Sequence, residues 1–149
     1  MKIDGSLTLN GTLERAWQVM LDPGSLSRCI PGCEQLEVVG DHKYRATLKV
    51  GVAAVKGTYE AMVELTEIEK PRHYKLVVEG SGGPGFVKSS VSIDLEDRGP
   101  RTEVVYSVDA QVGGIVAAVG QRMLSGVAKL LFNEFFKGVN RELESAPPA

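Results

Sequence analysis

From Glu34 to Val112 the chain alternates apolar and polar residues again and again, and beyond Val112 it has one long apolar-rich segment left to cover the face this creates. Turn chemistry cuts the alternation at Gly40-Asp41, Lys70-Pro71, Gly82-Gly83-Pro84-Gly85 and Asp97 to Pro100, so the pieces read as an antiparallel meander. One parity collects Tyr44, Ala46, Leu48 and Val50, then Tyr59, Ala61, Val63 and Leu65, then Tyr74, Leu76 and Val78. It continues with Val87, Ser89, Val91, Ile93 and Leu95, then Val104, Tyr106, Val108 and Ala110; the other parity is mostly charged or hydroxylic. A sheet with one apolar face must bury it, and packing on a second sheet would need strands that this chain lacks. A helix has to do it.

The spacing predicts that helix over about Ile115 to Leu143, roughly 40 Å at 1.5 Å per residue, preceded by Gly113-Gly114 and followed by Ala146-Pro147-Pro148. Its four-residue ladder of Ile115, Val119, Met123, Val127, Leu131, Phe135, Val139 and Leu143 is flanked by Val116, Leu124, Ala128, Phe132 and Phe136. Each step advances about 40° around the axis, so the apolar face winds and calls for a curved, twisted sheet around it. At the other end Ile3, Gly5, Leu7 and Leu9 mark a first strand. Thr12 can cap a short helix whose Leu13, Trp17, Met20 and Leu21 share a face, and Asp22-Pro23 starts a second helical turn closing at Pro31-Gly32. The expected fold is α+β: a curved antiparallel sheet of about seven strands in the order β-α-α-β-β-β-β-β-β-α, wrapped around a long C-terminal helix. Residues 1–145 form one domain and 146–149 begin a Pro/Ala-rich linker.

Composition narrows the function classes. The 149 residues, 43% hydrophobic and 24% charged, suffice for a real core without staples. The formal charge of -2 lacks the basic excess that nucleic-acid binding needs. Met1-Lys2-Ile3-Asp4 does not resemble a signal peptide, and no apolar run approaches the roughly 18 residues that cross a bilayer, so a cytoplasmic protein is expected. Cys29 and Cys33 are then expected as free thiols.

Small residues recur on inward parity: Gly5, Ala46, Ala61, Gly80, Ser89 and Ala110, joined on the helix by Ala117, Ala118, Gly120 and Gly126. They can leave a cavity between sheet and helix, or they can allow close approach with no cavity at all. All four tyrosines share that parity, where a buried phenol needs a hydrogen-bond partner, although each can also stand near a strand end with its hydroxyl in water. The expected ligand lining is Leu48, Tyr59, Val63, Leu76, Val91, Tyr106, Met123 and Val127. No acid-base pair takes a mid-strand inward position, so no catalytic residue is expected. Cys29, Cys33, His42 and His73 match no compact metal-ligand spacing, and no metal or cofactor is expected. Two loops, Gly51 to Gly57 and Gly80 to Phe86, combine apolar residues with glycines. The second lacks the strand-to-helix context of a phosphate loop, and Val52, Val55, Gly83 and Phe86 are expected as gating residues of two loops that flank the cavity mouth, admitting ligand or contacting a membrane or partner.

Several motifs stand together along nearly the whole chain: Leu21-Asp22-Pro23, Cys29-Ile30-Pro31-Gly32-Cys33, Gly51 to Gly57, Gly82 to Phe86, and Val112-Gly113-Gly114 through Gly120-Gln121-Arg122-Met123 to Phe135-Phe136. Jointly they resemble the carbon monoxide dehydrogenase G-subunit family of the START-like, helix-grip (polyketide cyclase/SRPBCC) superfamily. The resemblance implies a non-enzymatic accessory protein to a molybdenum-containing carbon monoxide dehydrogenase or a related molybdenum hydroxylase, acting in its recruitment or its electron transfer to the respiratory chain. It implies a quinone or similar lipid in the pocket. Many members of the family carry a C-terminal tail that reaches the membrane through a Pro- and Ala-rich linker, which would place the protein at the inner face of the cytoplasmic membrane. Two other readings compete: an enzyme of the cyclase or dehydratase type, which needs inward acid-base groups, and a structural assembly factor with a filled core.

Overall fold

In the computed structural model, residues 1–52 and 55–145 are described. Ala53 and Ala54 of the first apolar loop, and the 146–149 linker, lie outside the described residues. Strand β1 spans Lys2–Leu9, helix α1 Leu13–Leu21, helix α2 Pro23–Cys29, and strands β2 to β7 span Cys33–Gly40, Lys43–Val50, Gly57–Glu69, His73–Gly82, Gly85–Arg98 and Arg101–Gly113. A 3-10 turn at Gly114–Val119 then leads into helix α3, Gln121–Ser145. The seven strands form one antiparallel sheet in the order β1-β7-β6-β5-β4-β3-β2. The first strand closes onto the last, and β2 is left at the far edge.

Local chemistry starts the helices where the sequence implied. The Arg15 amide donates to the Thr12 hydroxyl at 3.3 Å, and the Ser25 amide donates to the Asp22 carboxylate at 2.9 Å. Strand register keeps like with like. Leu65 faces Leu76, which faces Val91, which faces Val108 and then Ile3, so a continuous apolar row crosses the sheet. Against the inner face pack Leu13, Ala16, Trp17 and Met20 of α1, Leu26 and Cys29 of α2, and Phe136, Val139 and Leu143 of α3. Thr102, also buried, donates its hydroxyl to the Gly11 carbonyl at 2.9 Å and so ties the β7 start to the β1–α1 junction.

The covering helix differs from expectation at its start. Ile115 to Val119 form the 3-10 turn, not α-helix, and Gly120, at φ +96°, separates the two. That backbone conformation is open to glycine and strained for any residue with a Cβ, so the helix restarts at Gln121 in a new phase. As a result Ile115 and Met123 of the predicted ladder face outward, while Leu124, Phe136, Gly138, Val139 and Leu143 are the buried residues of α3.

Candidate functional site

The inner surface is packed in two separate clusters. The large one occupies the end covered by α1, α2 and the second half of α3. The small one, at the opposite end, consists of Val55, Val116 and Leu124 with Met1, Val50, Val52, Val112, Val119 and Val127 against them. Between the two runs a belt in strict register, Ala46 opposite Ala61 opposite Gly80, with Leu48 and Tyr59 paired beside it. Ala46, Ala61 and Tyr59 are buried, yet none of them is packed into either cluster. A Cβ built on Gly80 would meet only the Ala61 methyl at 3.6 Å and the Glu60 carbonyl at 3.7 Å, so no atom of α3 lies within 4 Å of that point. The helix stands clear of Gly80, while Ala46 and Ala61 are 1% and 3% exposed.

The expected lining residues divide by location. Val63, Val91 and Tyr106 are buried in the large cluster, with Leu76 half-buried against it. Val127 belongs to the small cluster, and Leu48 and Tyr59 to the belt. Met123 joins none of them: it is 56% exposed, because the break at Gly120 turns it away from the sheet. Sequence reasoning did not assign Val116 and Leu124 to the site. The signal available for Val116 was an apolar residue between glycines at 113, 114 and 120, which frees a short segment to fold back.

The phenols have distinct surroundings. Tyr59 donates its hydroxyl to the Val55 carbonyl at 2.6 Å, clasping the loop from inside. Tyr106 lies flat against Phe132 and Phe136, with centroid distances of 4.9 and 5.8 Å, and its ring covers Gly5. Tyr74 meets Trp17 edge-on at 5.6 Å. Burial raises the pKa of Tyr44, Tyr59, Tyr74 and Tyr106, which keeps each one protonated and able to donate.

The loops expected to gate the mouth are unlike each other. Val55 is buried and Val52 half-buried in the small cluster, so they are plugs rather than exposed apolar residues. Gly83 and Phe86 are exposed, and the Phe86 ring covers Gly113. The histidines are apart from this region: His73 bonds Asp94 (Nδ1–Oδ1 2.8 Å) at the far end of β5, and His42 occupies the β2–β3 turn. A hollow of about 590 Å³ opens elsewhere, between α2 and the end of α3, lined by Arg28, Gly138, Arg141, Glu142, Glu144 and Ser145. It is charged where the belt is apolar. There Arg28 donates to Glu142 (Nε–Oε1 2.8 Å), which holds that carboxyl below its usual pKa.

A curved antiparallel sheet gripping a C-terminal helix, with an apolar inner face, defines a START-like helix-grip protein. The chain superposes on a START superfamily protein from Mycobacterium smegmatis with a TM-score of 0.76 at 11% identity, covering 97% of both chains. It superposes on Ara h 8.0201 with a TM-score of 0.74 at 14% identity, covering 98% of this chain and 99% of that one. A conserved protein from Geobacillus kaustophilus is much nearer, at 50% identity and TM-score 0.95, covering 97% of this chain and 96% of that one. Residues 5–144 match the carbon monoxide dehydrogenase G-subunit (CoxG) family, and the chain belongs to it. No curated protein matches the sequence.

Proposed function

We propose that this chain is a non-enzymatic accessory protein that holds a hydrophobic small molecule, an isoprenoid quinone or comparable lipid, between the sheet and α3. In this reading it serves a molybdenum-containing carbon monoxide dehydrogenase or a related molybdenum hydroxylase, in recruitment or electron transfer, from the cytoplasmic side of the membrane. The observation that carries the binding claim is the space over Gly80, in register with Ala61 and Ala46, where no atom of α3 lies within 4 Å of an added Cβ. Membership of the CoxG family supports the partner.

The belt offers methyl groups, and the inner face beside it offers the Ser89 hydroxyl and valine side chains from adjacent strands. Such a surface suits a long apolar body, since each methylene removed from water contributes about 0.8 kcal/mol. It suits acid-base chemistry poorly, because a catalytic carboxylate or imidazole must lie within reach of the substrate. Entry runs through the small cluster. Releasing Val55 from the Tyr59 hydroxyl and swinging Val116 away would open the belt to that end of the molecule.

Titration with a short-chain quinone, followed by Trp17 emission and native mass spectrometry, tests the reading. Quenching and a one-to-one adduct are expected for the wild type, and Gly80→Leu, which fills the space over the belt, should lose both while staying folded. A wild type with neither signal at high quinone concentration sinks the proposal.

A further inference from the structure

The inward face of β5 and β6, near the middle of the sheet, is not sealed. Leu76, Val78, Val87 and Ser89 are only half-buried there, whereas Tyr74, Val91 and Ile93 further along the same strands are each 2% exposed. The closed part begins where sheet and helix touch. Ile93 is paired with Tyr106, whose ring stacks on Phe132 of α3 at 4.9 Å. Ser89 is the innermost half-buried residue on that face of β6.

Its hydroxyl is unlike its surroundings. The inward neighbours of Ser89 are Val87 and Val91 along the strand, and Val78 and Ala110 across it. Among the described residues its side chain forms no hydrogen bond, and the other inward hydroxyls are either used or enclosed. Thr102 donates to the Gly11 carbonyl and Tyr59 to the Val55 carbonyl, while Tyr44, Tyr74 and Tyr106 are buried within the large cluster. If only a small side chain were required at position 89, alanine would serve, as it does at Ala46, Ala61 and Ala110. A hydroxyl among valines adds a polar group that has to be satisfied. Half-burial leaves it within reach of water, and a ligand that displaces the water must replace its hydrogen bond.

We infer that Ser89 is the polar anchor of the ligand site. Its hydroxyl donates to a ring carbonyl of the bound molecule, the oxygenated ring lies innermost, and the apolar chain runs back past Gly80 toward the small cluster. The inference rests on the reading that this space holds a hydrophobic ligand, and it narrows the class to uncharged molecules with an oxygen acceptor at one end. An ionised headgroup finds no partner beside Ser89. The side chains around it are apolar, and the Met1 ammonium, one strand beyond, already donates to the Ala110 carbonyl at 2.8 Å. A hydroxyl suits both oxidation states of a quinone, donating to the carbonyl of the oxidised ring and accepting from the O–H of the reduced one.

The test compares a short-chain quinone with the aromatic hydrocarbon of the same carbon skeleton, which lacks the ring oxygens, by calorimetric dissociation constants. Ser89→Ala should weaken the quinone, oxidised or reduced, by about two- to tenfold, the worth of one neutral hydrogen bond, and leave the hydrocarbon unchanged. Val87→Ala, which removes only methyl groups beside it, should weaken both ligands alike. Ser89→Ala takes one oxygen from a half-buried position, so circular dichroism should show it folded. Unchanged quinone binding by Ser89→Ala, or equal losses for quinone and hydrocarbon, overturns the inference and leaves the hydrophobic-ligand reading standing. A wild type that binds neither compound overturns both.

Discussion

Tyr59 and Tyr106 share a face and a residue type, and their neighbours make them different objects. Tyr59 uses its hydroxyl on the Val55 carbonyl and acts as a clasp, whereas Tyr106 uses its ring between Gly5 and two phenylalanines and acts as a pillar. Parity along a strand puts both indoors, and that much is legible. Which atom each uses is not, because the partners come from residues 55, 132 and 136 by way of tertiary packing. The cysteines repeat the lesson. Cys29 is buried against Gly138, and burial, with Glu142 adding to it, pushes its thiol up to about 11 from 9.0. At pH 8 this leaves about a hundredfold less thiolate than an ordinary cysteine. Iodoacetamide on the native protein should therefore modify Cys33 well before Cys29, and urea should abolish the difference; peptide mass mapping over time reads both. Cys33 is also raised by burial, but it is only half-buried, with its thiol on the Gln35 carbonyl at 3.5 Å.

At the level of elements, α3 shows how far periodicity carries. Apolar spacing identifies the segment as the covering helix, and its second half packs as an amphipathic helix should. The first turns fall out of phase, because counting from Ile115 assumes one unbroken helix, and Gly120 interrupts it. Two other glycines of α3 look alike in sequence and are opposite in structure. An added Cβ at Gly138 would stand 3.0 Å from the Cys29 Cα and 3.2 Å from its Cβ, where α2 crosses, while Gly126 has nothing within 4 Å. Alanine favours a helix over glycine by about 1 kcal/mol, so Gly126→Ala should stabilise by up to that amount. Gly138→Ala gains the same propensity but presses on α2 backbone, and overpacking costs about 1–3 kcal/mol, so it should be destabilising. Urea unfolding of the two variants against the wild type gives the signs.

Across the whole molecule the apolar interior is divided unequally. The large cluster joins α1, α2, the sheet and the end of α3, and the small one joins the loop, the 3-10 turn and the start of α3 to Met1 and the ends of β3 and β7. Stability should follow that division. Amides of Leu124 to Ala128 should exchange with deuterium at least about tenfold faster than those of Phe136 to Leu143, and a bound quinone should slow the first group more; exchange measured by mass spectrometry checks both. The belt between the clusters is half visible in the sequence. Ala46, Ala61 and Gly80 are recognisable as small and inward, but strand register is needed to align them, and helix position to show that α3 stands clear of Gly80. By itself the sequence determined the sheet, its inner face, the helix caps and the identity of the covering segment, since period and turn chemistry act between near neighbours. Only the tertiary structure decided where the helix touches, where it stands clear, and which apolar residues are left in water. Those are distances between segments far apart in the chain, and no local pattern carries them.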